Sequence, residues 1–280
     1  MTLRQPYPLP SYTWALTTSA RAGSGQTEEA KRIAGIYHAR YIPREDYSLR
    51  ELRKIHELDY LVTLDRNGHV YAEEPYVSWH PSMAVKRLKR LEEGGADTFL
   101  TAVSLEKGDH YLDCTLGLGA DAIVASWAAG ETGVALGLEA SPMIAMIASW
   151  GLKNEAYTYH SGRRPVGPAA SRIQVLEDEA LHFLQTQADG SWDVVYFDPM
   201  FQSANPRSSA INSIRPLACY APFGAEALEE SLRVCAKRVV LKERWFSPLF
   251  ADLGATKTVK TRNSPVAFGV WEKGKDEHNA

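Results

Sequence analysis

Cysteine is scarce in this sequence: three occur among 280 residues, Cys114, Cys219 and Cys235. They lie far apart in no Cys-x-x-Cys pattern, so neither a zinc site nor a disulfide framework is expected. Cys114 reads as a small buried residue. A strong charge of either sign is also missing. Lys and Arg number 31 against 34 Asp and Glu, a formal net charge of -3, so any contact with nucleic acid has to come from a local basic patch. Long apolar runs are absent too. The longest, residues 122–129 and 143–152, fall short of the roughly 20 residues that span a bilayer. Residues 1–10 carry Pro6, Pro8 and Pro10 and no apolar segment of the secretory kind. A soluble cytoplasmic protein with no membrane partner is therefore expected. Histidines, among them His56, His69, His80, His110, His160 and His182, are scattered. None has a nucleophile partner or metal-ligand spacing, so no metal is expected.

What is present is ordinary globular composition, 45% hydrophobic and 23% charged, with a length that suits about two domains. Residues 13–18 read as a strand. The glycine-rich stretch at 21–26 lacks the Gly-Lys-Ser/Thr of a phosphate-binding loop and reads as a connection. Thr27 is placed to cap a helix over 28–39. Tyr41-Ile-Pro is extended, because the residue before proline avoids the helical region. Ser48 and Glu51 form a capping box for a helix over 49–58. Residues 60–64 and 70–72 are strands joined by the hairpin signal Asn67-Gly68. Pro81 suits the first turn of a further helix. There Ala84, Leu88 and Leu91 share one face and Lys86, Lys89 and Arg90 another, with Arg87 a fourth charge. That basic face is either simply solvated or a phosphate contact. The expected division is a small N-terminal α/β domain with this basic helix, residues 1–107, and a second domain, residues 108–280.

The second domain alternates. Strands are expected at 110–115, 132–138, 172–176, 193–197 and 238–242, and helices at 120–129, 142–154, 179–187, 225–235 and 248–253. Two closing strands, 256–261 and 266–271, turn at Asn263-Ser-Pro. This is the pattern of an α/β, doubly wound, mostly parallel seven-stranded sheet. Such sheets bind ligands outside the carboxyl ends of their strands.

After the first of these strands stand Asp113, Thr115, Gly117, Gly119 and Asp121. The glycines allow a tight turn and close approach of a ligand. Glu139, followed by Ala140, comes about 20 residues on, where a carboxylate accepts from a ribose diol. Gly117-x-Gly119-x-x-Ala122 also fits a dinucleotide fingerprint. Charge separates the two readings. Asp113 and Asp121 would repel a pyrophosphate at the helix N-terminus, and favour the ammonium and sulfonium of S-adenosylmethionine. Alternatively, the two carboxylates only cap the turn and the helix. Asp178 either meets an adenine amino group or caps the next helix. Asp198-Pro199-Met200-Phe201 follows an apolar strand. An acid to accept amine N–H bonds, a rigid proline and a ring to stack on a base are the parts an exocyclic base amine needs. The long connection 202–223, with Arg207 and Arg215, reads as a lid or binding segment. Lys242-Glu-Arg-Trp245 forms a basic-aromatic cluster on the same rim, placed to help hold nucleic acid.

The segment Asp113-Cys-Thr-Leu-Gly-Leu-Gly-Ala-Asp121, Glu139, Asp198-Pro-Met-Phe201 and Val239-Val-Leu-Lys242 resemble the class I S-adenosylmethionine-dependent methyltransferases. More narrowly, they are similar to the bacterial small-subunit ribosomal RNA guanine-N2 methyltransferase family. Ser82-Met-Ala is similar to a segment preceding that family's glycine motif, and the resemblance covers about residues 80–271. Leu176-Glu-Asp-Glu departs from the family, which is richer in Ala and Ser there. The resemblance implies a Rossmann-like methyltransferase fold, S-adenosylmethionine as donor with S-adenosylhomocysteine as product, and an RNA guanine amine as acceptor. An enzyme of rRNA processing is expected, with ribosomal RNA or the small ribosomal subunit as partner through local basic patches. Asp198, Pro199, Met200 and Phe201 form the expected catalytic set. Asp113, Thr115, Gly117, Gly119, Asp121, Glu139, Ala140 and Asp178 form the expected donor site. The alternatives are a methyltransferase acting on a small molecule or protein, an NAD-binding oxidoreductase, and a non-catalytic RNA-binding protein.

Overall fold

Two sheets carry the fold in a computed structural model that describes residues 11–73, 76–154, 166–200 and 214–274. The first sheet holds β1 (Trp14–Thr18), β2 (Arg40–Tyr41), β3 (Tyr60–Leu64), β4 (Val70–Ala72) and β5 (Val77–Ser78) in the order β2-β1-β3-β4-β5. β1 is parallel to β2 and β3, and β3 and β4 form an antiparallel hairpin. The expected Asn67-Gly68 turn makes it: Gly68 has φ +79°, and Asp65 Oδ1 accepts from the Asn67 and His69 N–H groups at 2.8 Å each. Helix α1 spans Ser24–Ile36 and starts earlier than the sequence pattern indicated. Its cap is Gly23 rather than Thr27. Gln26 fixes the first turn to the sheet, donating to the Leu64 carbonyl at 2.7 Å, so the second half of the glycine-rich stretch is helix. Helix α2 (Leu49–Ile55) has the expected capping box: Ser48 Oγ accepts from the Glu51 N–H, and Glu51 Oε2 from the Ser48 N–H.

Helices α3 (Ala84–Glu92) and α4 (Thr98–Val103) connect this sheet to the second. Helix α3 opens three residues after Pro81, behind a left-handed Ser82 whose N–H donates to His80 Nδ1. The second sheet is built from β6 (His110–Asp113), β7 (Val134–Glu139), β8 (Gln174–Glu177), β9 (Trp192–Phe197), β10 (Cys235–Arg244), β11 (Lys257–Val259) and β12 (Val266–Glu272). Their order is β11-β12-β10-β9-β6-β7-β8. All are parallel except β12, which runs antiparallel to β10 and β11. The intervening helices are α5 (Ala120–Ala129), α6 (Pro142–Lys153), α7 (Gly167–Ser171), α8 (Ala180–Thr186), α9 (Ala225–Val234) and α10 (Leu249–Asp252). This is the doubly wound, mostly parallel sheet of seven strands that the alternation implied. Strand order reverses between β6 and β9, which opens a crevice at their carboxyl ends.

Helices α5 and α6 are buried on most of their surfaces, as expected of helices packed between layers. One continuous buried cluster joins Leu16, Val62 and Ala72 of the first sheet to Met143 and Ile147 of α6. Close approach is built in: a Cβ on Gly151 would lie 2.0 Å from Trp79 Cγ. The Trp79 indole crosses to the second sheet's glycine turn and donates to the Leu118 carbonyl at 3.0 Å. Asn154 and Trp150 both donate to the Gly68 carbonyl, and Tyr12 and Ser141 share a hydrogen bond of 2.8 Å. α3 and α4, which precede residue 107, pack on α5 and on the β10–β12 side of the second sheet. Among the described residues no helix is long and apolar enough to cross a membrane.

Candidate active site

A cavity of about 960 Å³ opens at the carboxyl ends of β6, β7 and β9. Asp113, Thr115, Gly117, Gly119, Asp121, Glu139, Ala140, Asp198, Pro199 and Met200 all line it. Phe201 and Arg207 lie outside the described residues. Asp178 is not part of the lining. It accepts from the Glu179 N–H at 2.8 Å and meets His182 Nδ1 at 2.7 Å, at the start of α8. Glu179, the N-cap of α8, lines the cavity in its stead.

The glycine turn is held from both sides. Gly117 and Gly119 have φ +55° and +81°, the left-handed region that side chains avoid. A Cβ on Gly117 would meet nothing within 4 Å, since this edge of the turn faces the open cavity. Glu139 closes the turn: one oxygen accepts the Gly117 N–H at 3.0 Å and the other the Ser141 N–H at 2.9 Å. Burial pushes its carboxyl up to about 7 against those two bonds. Asp113 accepts from the Thr115 N–H at 3.0 Å and from the Tyr111 hydroxyl at 3.3 Å. Burial, with Asp121 and Asp198 nearby, pushes it up to about 8.

Asp198 follows β9 one residue beyond Phe197, and Lys242 lies on β10 one residue beyond Leu241. Phe197 and Leu241 are paired in register, so the two charged residues emerge side by side. Lys242 Nζ is 2.6 Å from Asp198 Oδ2 and 3.0 Å from Asp121 Oδ2. Asp121 also accepts from the Tyr196 hydroxyl at 2.8 Å and from Arg87 Nη1. Arg87 in turn grips Asp97 with two nitrogens, at 2.8 and 2.9 Å. Part-buried charges thus alternate along a line: Asp97, Arg87, Asp121, Lys242, Asp198. Burial opposes the Asp121 charge, but Lys242 and Arg87 outweigh it and hold its carboxyl far below the usual range. At Asp198 burial wins over Lys242, and the carboxyl is raised. The Asp198 N–H donates to Thr115 Oγ1 at 2.6 Å, tying the acid to the glycine turn. Among the described residues, Asp198 Oδ1 has no hydrogen-bond partner.

Two expectations change with this geometry. Asp121 lines the cavity but is also matched by two cations of the protein, so it is not the free carboxylate that the sequence suggested. Lys242, grouped by sequence with Arg244 and Trp245 as a nucleic-acid contact, is instead part-buried at the cavity wall and paired with Asp198 and Asp121. Arg87 was legible as the odd member of its basic cluster. It lies three residues after Ala84 and four before Leu91, on the apolar stripe, while Lys86, Lys89 and Arg90 are exposed. Among the described residues no cluster of three or more His, Cys, Asp or Glu is placed to hold a metal ion.

The family model described as "Putative SAM-dependent methyltransferase" matches residues 54–271. The chain belongs to this methyltransferase family. The uncharacterized protein YpiP of Bacillus subtilis is 34% identical over 256 residues, 91% of this chain and 98% of that protein. The ribosomal RNA small subunit methyltransferase J of Pseudomonas syringae is 28% identical over 160 residues. That match spans 55% of this chain and only 56% of the enzyme. A solved SAM-dependent methyltransferase from Neisseria gonorrhoeae shares the fold, with a TM-score of 0.62 over 92% of this chain and 96% of that one, at 18% identity. The methyltransferase is therefore an enzyme that uses S-adenosylmethionine. The nicotinamide reading of Gly117-x-Gly119-x-x-Ala122 and the non-catalytic reading fall away.

Proposed function

We propose that this methyltransferase places its methyl group on an exocyclic amine of a nucleobase, guanine N2 of ribosomal RNA, held at the end of β9. The observation that carries this is Asp198. It is a carboxylate at the reversal of strand order, with Oδ2 fastened to Lys242 and Oδ1 without a partner among the described residues. A carboxylate oxygen accepts an amine N–H. It also gains strength as the amine nitrogen becomes positive on forming its new bond, so it favours the transition state over the ground state. Asp198 need not be a strong base, because the alkylated nitrogen can lose its proton to water afterwards. Guanine suits the site because N1–H and N2–H stand side by side and both seek acceptors.

Bound S-adenosylmethionine supplies an electrophilic methyl carbon. The residues present fit it: Gly117 leaves the cavity edge bare where any side chain would intrude, and a buried carboxylate stands at the end of β7. In this reading Asp113, Gly117, Gly119 and Ala140 hold the donor's methionine end, and Glu139 accepts from its ribose. Thr115 positions Asp198, and Asp121 anchors Lys242 rather than touching the donor. Pro199 and Met200 shape the acceptor's slot. Asp178 is assigned to capping.

Support for RNA comes from relatives named for small-subunit ribosomal RNA and from the exposed Lys86, Lys89 and Arg90 of α3, beside cavity-lining Ser82 and Met83. The N-terminal unit, residues 1–107, would then select the RNA. The test is transfer of labelled methyl to naked ribosomal RNA, to small subunits, to protein and to metabolite pools. Label in RNA supports the reading, and label confined to protein or small molecules overturns it.

A further inference from the structure

Trp245 and Phe246 stand out on the surface: both rings are more than half exposed, at 52% and 61%. They meet edge to face at 5.6 Å, and Lys260 Nζ sits 4.5 Å from the Trp245 ring centre. The pair continues the cavity wall. Arg244, just before it, lines the cavity, as does Pro265, whose carbonyl accepts the Trp245 N–H at 3.2 Å. The two segments that form this edge, residues 244–246 and 260–262, contain Arg244, Lys260 and Arg262 and no acid. Exposed rings beside cations complement stacked bases joined by phosphates. They do not complement an acid-free apolar protein surface.

A base amine inside a duplex cannot reach Asp198. The target nucleotide has to leave its stack, and its neighbours then need another surface to stack on. Resting on the proposed function, we infer that Trp245 and Phe246 are a stacking platform for the nucleotides flanking the target, with Lys260 and Arg262 taking their phosphates. The substrate is accordingly an unpaired RNA segment, a loop or a single strand, and base pairing of the flanks opposes binding. The alternative occupant, a second copy of the chain, is an outcome of the test.

The experiment compares the full-length wild type with Trp245→Ala/Phe246→Ala, and with Lys260→Glu/Arg262→Glu. Fluorescence anisotropy measures binding of a labelled single-stranded ribosomal RNA fragment and of the same fragment in a duplex. Calorimetry with S-adenosylhomocysteine checks that each variant keeps its donor site. A rise of about 10-fold or more in the RNA dissociation constant and KM, with kcat at saturating RNA and donor-product binding retained, supports the platform. In the charge variant the salt dependence of RNA binding should also flatten. Trp245→Phe should restore most of the affinity. Unchanged RNA affinity in both variants, tighter wild-type binding to the duplex, or a wild-type dimer that becomes monomeric in the aromatic variant would each overturn it. Wild type that methylates no RNA overturns the proposed function itself, a result read before any variant is made.

Discussion

Lys242 Nζ bridges Asp198 Oδ2 at 2.6 Å and Asp121 Oδ2 at 3.0 Å, across the ends of two neighbouring parallel strands and the helix that follows a third. One ammonium therefore fixes the acid that follows β9 and the acid behind the glycine turn. Lys242→Met leaves two part-buried carboxylates without that cation, though Asp121 keeps Arg87. Breaking a fully buried pair costs about 3–5 kcal/mol; solvent in the cavity makes the loss smaller here, on the order of 1–3 kcal/mol, readable by urea unfolding. Removing the cation also raises Asp198 further, so the acid limb of kcat/KM should move to higher pH. A stable variant with an unmoved pH profile would contradict the bridge.

Asp198→Asn keeps the side chain's shape but replaces the charge and offers an N–H toward the amine. Transfer should fall by about 10²–10³-fold, the size of losing one transition-state electrostatic contact. Calorimetric binding of S-adenosylhomocysteine should persist, because in the proposed role Asp198 serves the acceptor. Equal loss of donor binding would place the residue on the wrong side of the cavity.

Donor binding should depend on pH with a definite sign. Glu139 and Asp113 are pushed up to about 7 and about 8 by burial, so both carry protons in the free protein at mildly acidic pH. The ionised forms suit a cation and a ribose diol better, so binding expels protons. Affinity for S-adenosylmethionine should rise with pH through about 7 and about 8, then level off. S-adenosylhomocysteine lacks the sulfonium charge and should show a shallower rise. Glu139→Gln should remove the lower step. Titration calorimetry across pH 6–9 reads all three, and equal slopes for the two ligands would contradict the electrostatic role.

Gly151 lets the first sheet's Trp79 approach α6 closely, because its missing Cβ is where Trp79 sits. Gly151→Ala should overpack this contact at a cost of about 1–3 kcal/mol. Trp79 also bonds the Leu118 carbonyl in the glycine turn, so donor affinity should weaken along with stability. Unchanged melting and binding would mean the two sheets pack more loosely than this contact implies.

Much of the fold was legible because its elements are locally consistent. Helix α5 runs over Ala120–Ala129, as its glycine start and apolar run require, and the capping box at Ser48 sits where the pattern put it. The glycine turn, Glu139 and Asp198 were also legible, since strand ends follow from strand pattern and ligands gather there. The charge line was not. Asp198 and Lys242 are 44 residues apart, and only the strand order makes β9 and β10 neighbours. Asp121 reads as a free carboxylate until Arg87 and Lys242 are seen to flank it. Asp178 and Glu179 are adjacent in sequence, and the one that reaches the cavity depends on how α8 is capped, which residue type alone does not decide.

The most direct measurement is nucleoside mass spectrometry of ribosomal RNA and small subunits after incubation with isotopically labelled S-adenosylmethionine. Wild-type protein should yield labelled N2-methylguanosine, and Asp198→Asn should yield almost none. Label on a ribose hydroxyl, on a base carbon, or only on protein would contradict a carboxylate-oriented base amine as the acceptor.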